Sequence, residues 1–267
     1  MISDKEVLKE AGLAGVDAQV IERDYVLSWM LIAIAESELA PRMAFKGGTA
    51  LKKVYFPDYR FSEDLDFTLL DDLPHDDLVE RFNTLFPLAR KRIGLNLQLH
   101  AAEKSAFQST KLEVNYVGPL KAKLGSRRVN LDFTRGELLL DDPVDGLLSA
   151  PYSDYPTHVA LPTYTTLEML AEKLCALIGR REPRDLYDAY WLFESGCVDT
   201  AFLAHNFRRK CEHKGHDPAR LERVLRERRP AFEKLWKDRL AHQMVDVPHF
   251  NEVMRTVQRH VRGLATS

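Results

Sequence analysis

The sequence predicts an α+β chain, with its strands in the first part and helices dominating the second. Two patterns predict it. Short runs such as "DLDFTLL" at 64–70 and "RRVNLDFT" at 127–134 alternate apolar and polar residues, the period of two that a half-buried strand requires. Later runs such as "TTLEMLAEKLCALI" at 165–178 place apolar residues three and four apart, the period of an amphipathic helix. Between them, 141–163 is rich in Asp, Pro and Tyr and reads as a linker. The division is set at residues 1–155 for a mixed-sheet core and 156–267 for a helical domain.

Taken in order, residues 17–37 read as a helix dense in Val26, Leu27, Trp29, Met30, Ile32 and Ile34. Its apolar run, Tyr25 to Ala35, is too short to span a bilayer, so no membrane partner is expected. "MAF" at 43–45 reads as a short strand that ends in Gly47-Gly48, and "TALKKVYF" then starts a helix with Thr49 near its N-terminus. In "DLDFTLL", Leu65, Phe67 and Leu69 share one face, and Asp64, Asp66 and Thr68 the other. A helix is expected around 76–92, then strands at "KLEVNYVG" from 111 and "RRVNLDFT" from 127. The second of these sets Val129, Leu131 and Phe133 against Asn130, Asp132 and Thr134. Thr165 and Glu168 form a capping box ahead of a stripe of Leu167, Leu170, Leu174 and Leu177. Pro183 suits the first turn of the next helix, where its missing N–H is harmless.

Charge and cysteines narrow the class. The 267 residues carry a formal net charge of −2, which gives no overall pull toward nucleic acid. The distribution is uneven: residues 1–80 hold 8 Lys/Arg against 17 Asp/Glu, and residues 201–267 hold 15 against 8. Cys175, Cys197 and Cys211 show no CxxC spacing, which argues for a reducing cytoplasm. Cys211, His213 and His216 stand close together but have no second cluster at structural zinc spacing, and read as an exposed polar loop.

The chemistry concentrates in "FKGGTALKKVYFPDYRFSEDLDF", residues 45–67. Glycines at a strand-to-helix turn let backbone N–H groups approach an anion. Asp64 and Asp66, on one strand face, suit a hard divalent cation such as Mg²⁺, which takes oxygen ligands and bridges to substrate phosphates. Asp132, on the polar face of its own strand, would complete a metal-dependent phosphoryl-transfer site. Lys173 lies just off an apolar stripe, where its stem can rest on the core and its head reach phosphates. Asp185 and Asp188 follow one helical turn apart; Arg184 can pair with Asp188, and Asp185 can brace Arg181 or Arg184. Lys121, Lys123, Arg127 and Arg128 form a basic strip at a strand connection. Arg208, Arg209 and Lys210 form another, continued by Arg220, Arg223, Arg226, Arg228 and Arg229. They read either as a track for an RNA backbone or as a solvated face with Glu222 and Glu227 pairing locally.

"FKGGTALKKVY…RFSEDLDF" resembles the first motif of the AbiEii/AbiGii-type nucleotidyltransferase toxins, of the DNA polymerase β-like superfamily. "VIERDYVLSWML" at 20–31 is similar to the helix that precedes that motif, and "EKLCALIGRREPRDLYDAYWL" at 172–192 to the later Lys…Arg-Asp-x-Tyr-Asp motif. The likeness covers roughly residues 18 to 195 and thins through 85–125. It implies a polymerase β-like core and transfer of a nucleoside monophosphate from an NTP, with Mg²⁺, to an RNA acceptor, the 3′ end of tRNA. The alternatives are transfer to a protein or small-molecule hydroxyl, or a non-catalytic nucleotide-binding module. It further implies a toxin of a type IV toxin–antitoxin or phage-defence system, with an antitoxin of winged-helix or kinase type. It gives Gly47, Gly48, Thr49 and Lys173 to the triphosphate. It makes Asp188, or else Asp185, a second essential carboxylate, and sets the site where the two domains meet. Some relatives are neutralised by phosphorylation at the position of Ser62, which would add roughly −2 charge beside the metal.

Overall fold

Period-two alternation becomes a sheet wherever one face of each strand can be covered. In the computed structural model, which describes residues 1–105 and 109–264, that cover comes from helices on the apolar side. The chain divides into two compact units, Met1–Glu137 with Pro143–Tyr164 and Leu138–Asp142 with Thr165–Ser267.

The first unit opens with helices α1 (Asp4–Ala14) and α2 (Ala18–Ala35), the latter capped by the Asp17 carboxylate on the Gln19 N–H. Strand β1 (Met43–Lys46) runs straight into α3 (Gly47–Ala50), which continues as a wider π turn over Leu51–Tyr55. Strand β2 (Asp64–Leu69), helix α4 (His75–Ile93) and strands β3 (Asn96–Lys104), β4 (Thr110–Val117) and β5 (Arg128–Thr134) follow. Two short strands, β6 (Val144–Leu147) and β7 (Ala160–Thr163), lie inside the stretch expected to be a linker, and this corrects that reading. Each has four residues, and β7 contains Pro162, so neither carries a strand signal of its own. They are held by pairing with each other and by β7 lying parallel to β1.

The seven strands form one mixed sheet in the order β3-β4-β5-β2-β1-β7-β6. Strand β2 is antiparallel to β1 and parallel to β5, with Phe67 level with Phe45 and Phe133. Those rings stack at 5.3 and 5.4 Å, and Phe82 of α4 meets Phe133 at 5.4 Å. Each such buried side chain stabilises the fold by about 1.5–3 kcal/mol. The core therefore lies on one face of the sheet, under α4. Elsewhere, Lys53 is buried against Asp24 of α2 at 2.6 Å, and the Tyr152 hydroxyl donates to the same carboxylate at 2.6 Å.

The second unit is helical: α5 (Thr166–Gly179), α6 (Pro183–Glu194), α7 (Leu203–His213), α8 (Leu221–Glu227), α9 (Arg229–Leu240) and α10 (Phe250–Val261). Half of the expected capping box forms: the Thr165 hydroxyl accepts from the Glu168 N–H at 3.0 Å. The Glu168 carboxylate turns instead to Lys210 at 2.6 Å and to the Leu140 N–H at 3.3 Å. The segment Leu138–Asp142 is bound into this unit, with Asp141 accepting from the Thr165 hydroxyl at 2.7 Å and Lys210 donating to the Leu138 carbonyl at 3.1 Å. Among the described residues, no helix is long and apolar enough to cross a membrane.

Candidate active site

The acidic residues of β2 and β5 are brought together by register. Asp66 lies level with Asp132, and Asp64 with Asn130, whose side-chain amide donates to the Asp64 carboxylate at 2.9 Å. Partners in a ladder share a face, so the three carboxylates project together from the side opposite the phenylalanine core. Burial pushes the Asp132 carboxyl above its ordinary range, and the Asp64 charge pushes it further, against the pull of Lys111 and Lys46.

The segment "RFSEDLD" lies directly on the "GGT" turn. Gly47 has φ +81, and a Cβ there would fall on the Asp66 carboxylate. A Cβ at Gly48 would stand 2.8 Å from Arg60 Nη2 and 3.3 Å from Ser62 Oγ. Gly47 is therefore required by close approach and by its backbone conformation, whereas at Gly48 the neighbours are ends of side chains that can shift. Thr49 is buried and donates its hydroxyl to the Asp64 carbonyl at 2.5 Å. This bond ties the turn to β2. Ser62 is half-exposed beside the turn.

Two residues escaped the sequence reading. Arg60 is buried over Gly48 with its guanidinium near the Tyr59 ring at 5.3 Å. Lys46 is buried level with Asp66, 3.7 Å from Glu137. The "RFS" that precedes the aspartates was a visible signal for the first. Nothing along the chain marks the second, because its neighbour is across a strand pair.

Oxygen donors in a charged row suit a hard cation in kind. Among the described residues, no group of three or more His, Cys, Asp or Glu side chains is arranged to hold a metal ion by itself.

In the second unit, α5 and α6 place Lys173 between two buried carboxylates, Asp188 at 2.7 Å and Asp185 at 3.2 Å. Both aspartates thus meet the lysine. Asp185 also takes two bonds from Arg180, at 2.6 and 2.9 Å, and so braces a different arginine from the two expected. Arg184 Nε donates to Glu182 at 3.3 Å.

The basic strips fare unevenly. Lys121 and Lys123 are exposed, but Arg127 is paired with the buried Glu22. Arg128 donates to Asn115 at 3.0 Å and approaches Glu113 at 3.4 Å. Arg208 is half-buried and Arg209 exposed. Lys210, expected on an RNA track, is a correction: its side chain is 1% exposed, locked against Glu168 inside the helical unit. A patterned helix face cannot reveal which lysine has a buried partner.

Solved structures carry the same fold. MenT4, a nucleotidyltransferase toxin from Mycobacterium tuberculosis H37Rv, superposes with a TM-score of 0.69 at 16% identity, over 100% of this chain and 91% of that one. JHP933 from Helicobacter pylori gives 0.54 at 19% identity, covering 94% of each chain. A putative nucleotidyltransferase from H. pylori gives 0.58 at 18%, covering 94% of this chain and 96% of that one. No curated protein matches the chain in sequence. The family model for the nucleotidyl transferase AbiEii toxins of type IV toxin–antitoxin systems matches residues 29–258, a span that includes the glycine turn, the three aspartates of the sheet and the Lys173 cluster. The chain belongs to the AbiEii nucleotidyltransferase toxins.

Proposed function

We propose that this toxin moves a nucleoside monophosphate from an NTP to a hydroxyl of RNA, at the 3′ end of tRNA, and that Mg²⁺ is held by Asp64 and Asp66 with Asp132 beside them. The observation that carries the reading is the close approach of Gly47 to the Asp66 carboxylate. The glycine turn and the Asp66 carboxylate are therefore parts of one surface. When bound, the metal would neutralise charge on the triphosphate.

The chain's own groups do the rest. Backbone amides at Gly47 and Gly48 hold the triphosphate, and Thr49 keeps their turn fixed to β2. Lys173, paired with Asp188 and Asp185 within the helical unit, is the cation that the family resemblance gives to the triphosphate. The acceptor oxygen bonds to the α-phosphorus as the bond from that phosphorus to its bridging oxygen breaks. Pyrophosphate leaves with the electron pair, and the hydroxyl proton passes to water. A phosphate on Ser62 would crowd this surface with negative charge and stop transfer. As the toxin of a two-component system, the chain implies a cognate antitoxin.

The test is incubation of pure protein with labelled NTPs, Mg²⁺ and total RNA. Label is expected in tRNA, and Asp64→Ala should abolish it. Label found instead in protein or in a small molecule, or none at all, would overturn the RNA reading.

A further inference from the structure

Five strands set one row of charged side chains across the polar face of the sheet. Lys46 on β1 is level with Asp66 on β2, Asp66 with Asp132 on β5, Asp132 with Lys111 on β4, and Lys111 with Glu103 on β3. The two carboxylates are bracketed by a lysine on each side. The lysines differ. The Lys46 side chain is 7% exposed, is held by Glu137 and directly precedes the glycine turn. The Lys111 side chain is 40% exposed, with Glu113 at 3.7 Å. Two rungs along the same face, the Arg128 side chain is 43% exposed and shares Glu113. Exposed pairs of that kind are weak, so a phosphate can take the carboxylate's place.

Phosphoryl transfer runs in line, with attacking and leaving oxygens on opposite sides of the phosphorus. A triphosphate seated on the glycine turn puts the leaving pyrophosphate on the β1 side of the carboxylates. The acceptor must then arrive from the other side, over β5 and β4. We propose that the polar face of β4 and β5 is the platform for the acceptor RNA, with Lys111 and Arg128 holding its phosphates and Lys46 staying on the leaving-group side. This inference rests on the reading of the chain as an NTP-to-RNA transferase. The bonds made and broken are those already given; the strand order adds the side from which each partner comes.

Total tRNA is the probe. Filter binding over a salt series and steady-state kinetics are measured for wild type, Lys111→Gln, Arg128→Gln and the exposed control Lys9→Gln. Each of the first two variants should weaken tRNA binding roughly threefold to tenfold. Each should also reduce the slope of log affinity against log salt by about one. The KM for NTP should not change, and the control should match wild type. If wild type labels tRNA and both variants bind it with the wild-type slope, the platform is refuted and the transferase reading stands. A rise in KM for NTP with unchanged tRNA affinity would give this face to the nucleotide and also refute it. If wild type neither binds nor labels tRNA, the RNA reading falls and the platform with it.

Discussion

At Gly47 one missing side chain serves both the backbone and the chemistry. Its φ of +81 strains any other residue, and the space a Cβ needs is filled by the Asp66 carboxylate. Gly47→Ala should therefore lower stability by about 1–2 kcal/mol and displace Asp66, so that label transfer is lost. Gly48→Ala meets only the ends of the Arg60 and Ser62 side chains and should lose less on both counts. Thermal melts with transfer assays check this, and wild-type turnover by Gly47→Ala would break the proposed link between turn and carboxylate. At this scale the sequence is partly legible. Asp64, Asp66 and Asp132 stand out because alternation shows which face each takes. Lys46 and Lys111 do not, since their meaning lies in strand register, which no single strand encodes. Lys210 misleads for a related reason: its charge is satisfied by a glutamate on another helix.

Helix α5 shows how an element can be read correctly and understood only in part. Its start follows from Thr165, whose hydroxyl caps the Glu168 N–H, a contact within one turn. The Glu168 side chain answers to tertiary structure. It is buried with Lys210, and one of its oxygens, Oε2, has no hydrogen-bond partner. Burial raises its carboxyl above the ordinary value, while Lys210 pulls it back. A buried pair of this kind is fragile to one-sided change. Glu168→Gln removes the countercharge of Lys210 and should destabilise the fold by about 3–5 kcal/mol. Replacing both, as Glu168→Leu with Lys210→Met, should recover part of that loss, because both buried charges are gone while the Leu140 N–H and Leu138 carbonyl lose their partners. Chemical denaturation of the single and double variants measures the cycle; additive losses would show that the two side chains do not act as a pair. The strands β6 and β7 illustrate the opposite limit, elements made by their neighbours, which a reading along the chain takes for a linker.

Across the whole molecule, the proposed site gathers like charge on a sheet whose other face holds the phenylalanine core, and stability is given up for activity in such arrangements. Asp132 is the place to measure it. Burial and Asp64 raise its carboxyl in the folded protein above the unfolded value. The folded state then holds that proton more tightly than the unfolded one. The stability this gives is present at low pH and is lost as pH rises from the ordinary carboxylate range through the raised value. Asparagine cannot ionise, so Asp132→Asn should show a flatter dependence of stability on pH through that window and a higher melting temperature above it. The same variant should fail to slow growth when expressed without an antitoxin, if Asp132 serves the transfer as proposed. Melting curves across pH, paired with growth assays of wild type and variant, separate the two effects. A variant that melts like wild type at every pH would show that the row of lysines fully compensates the carboxylates. One that gains stability yet still arrests growth would leave Asp132 outside the reaction and the chemistry to Asp64 and Asp66.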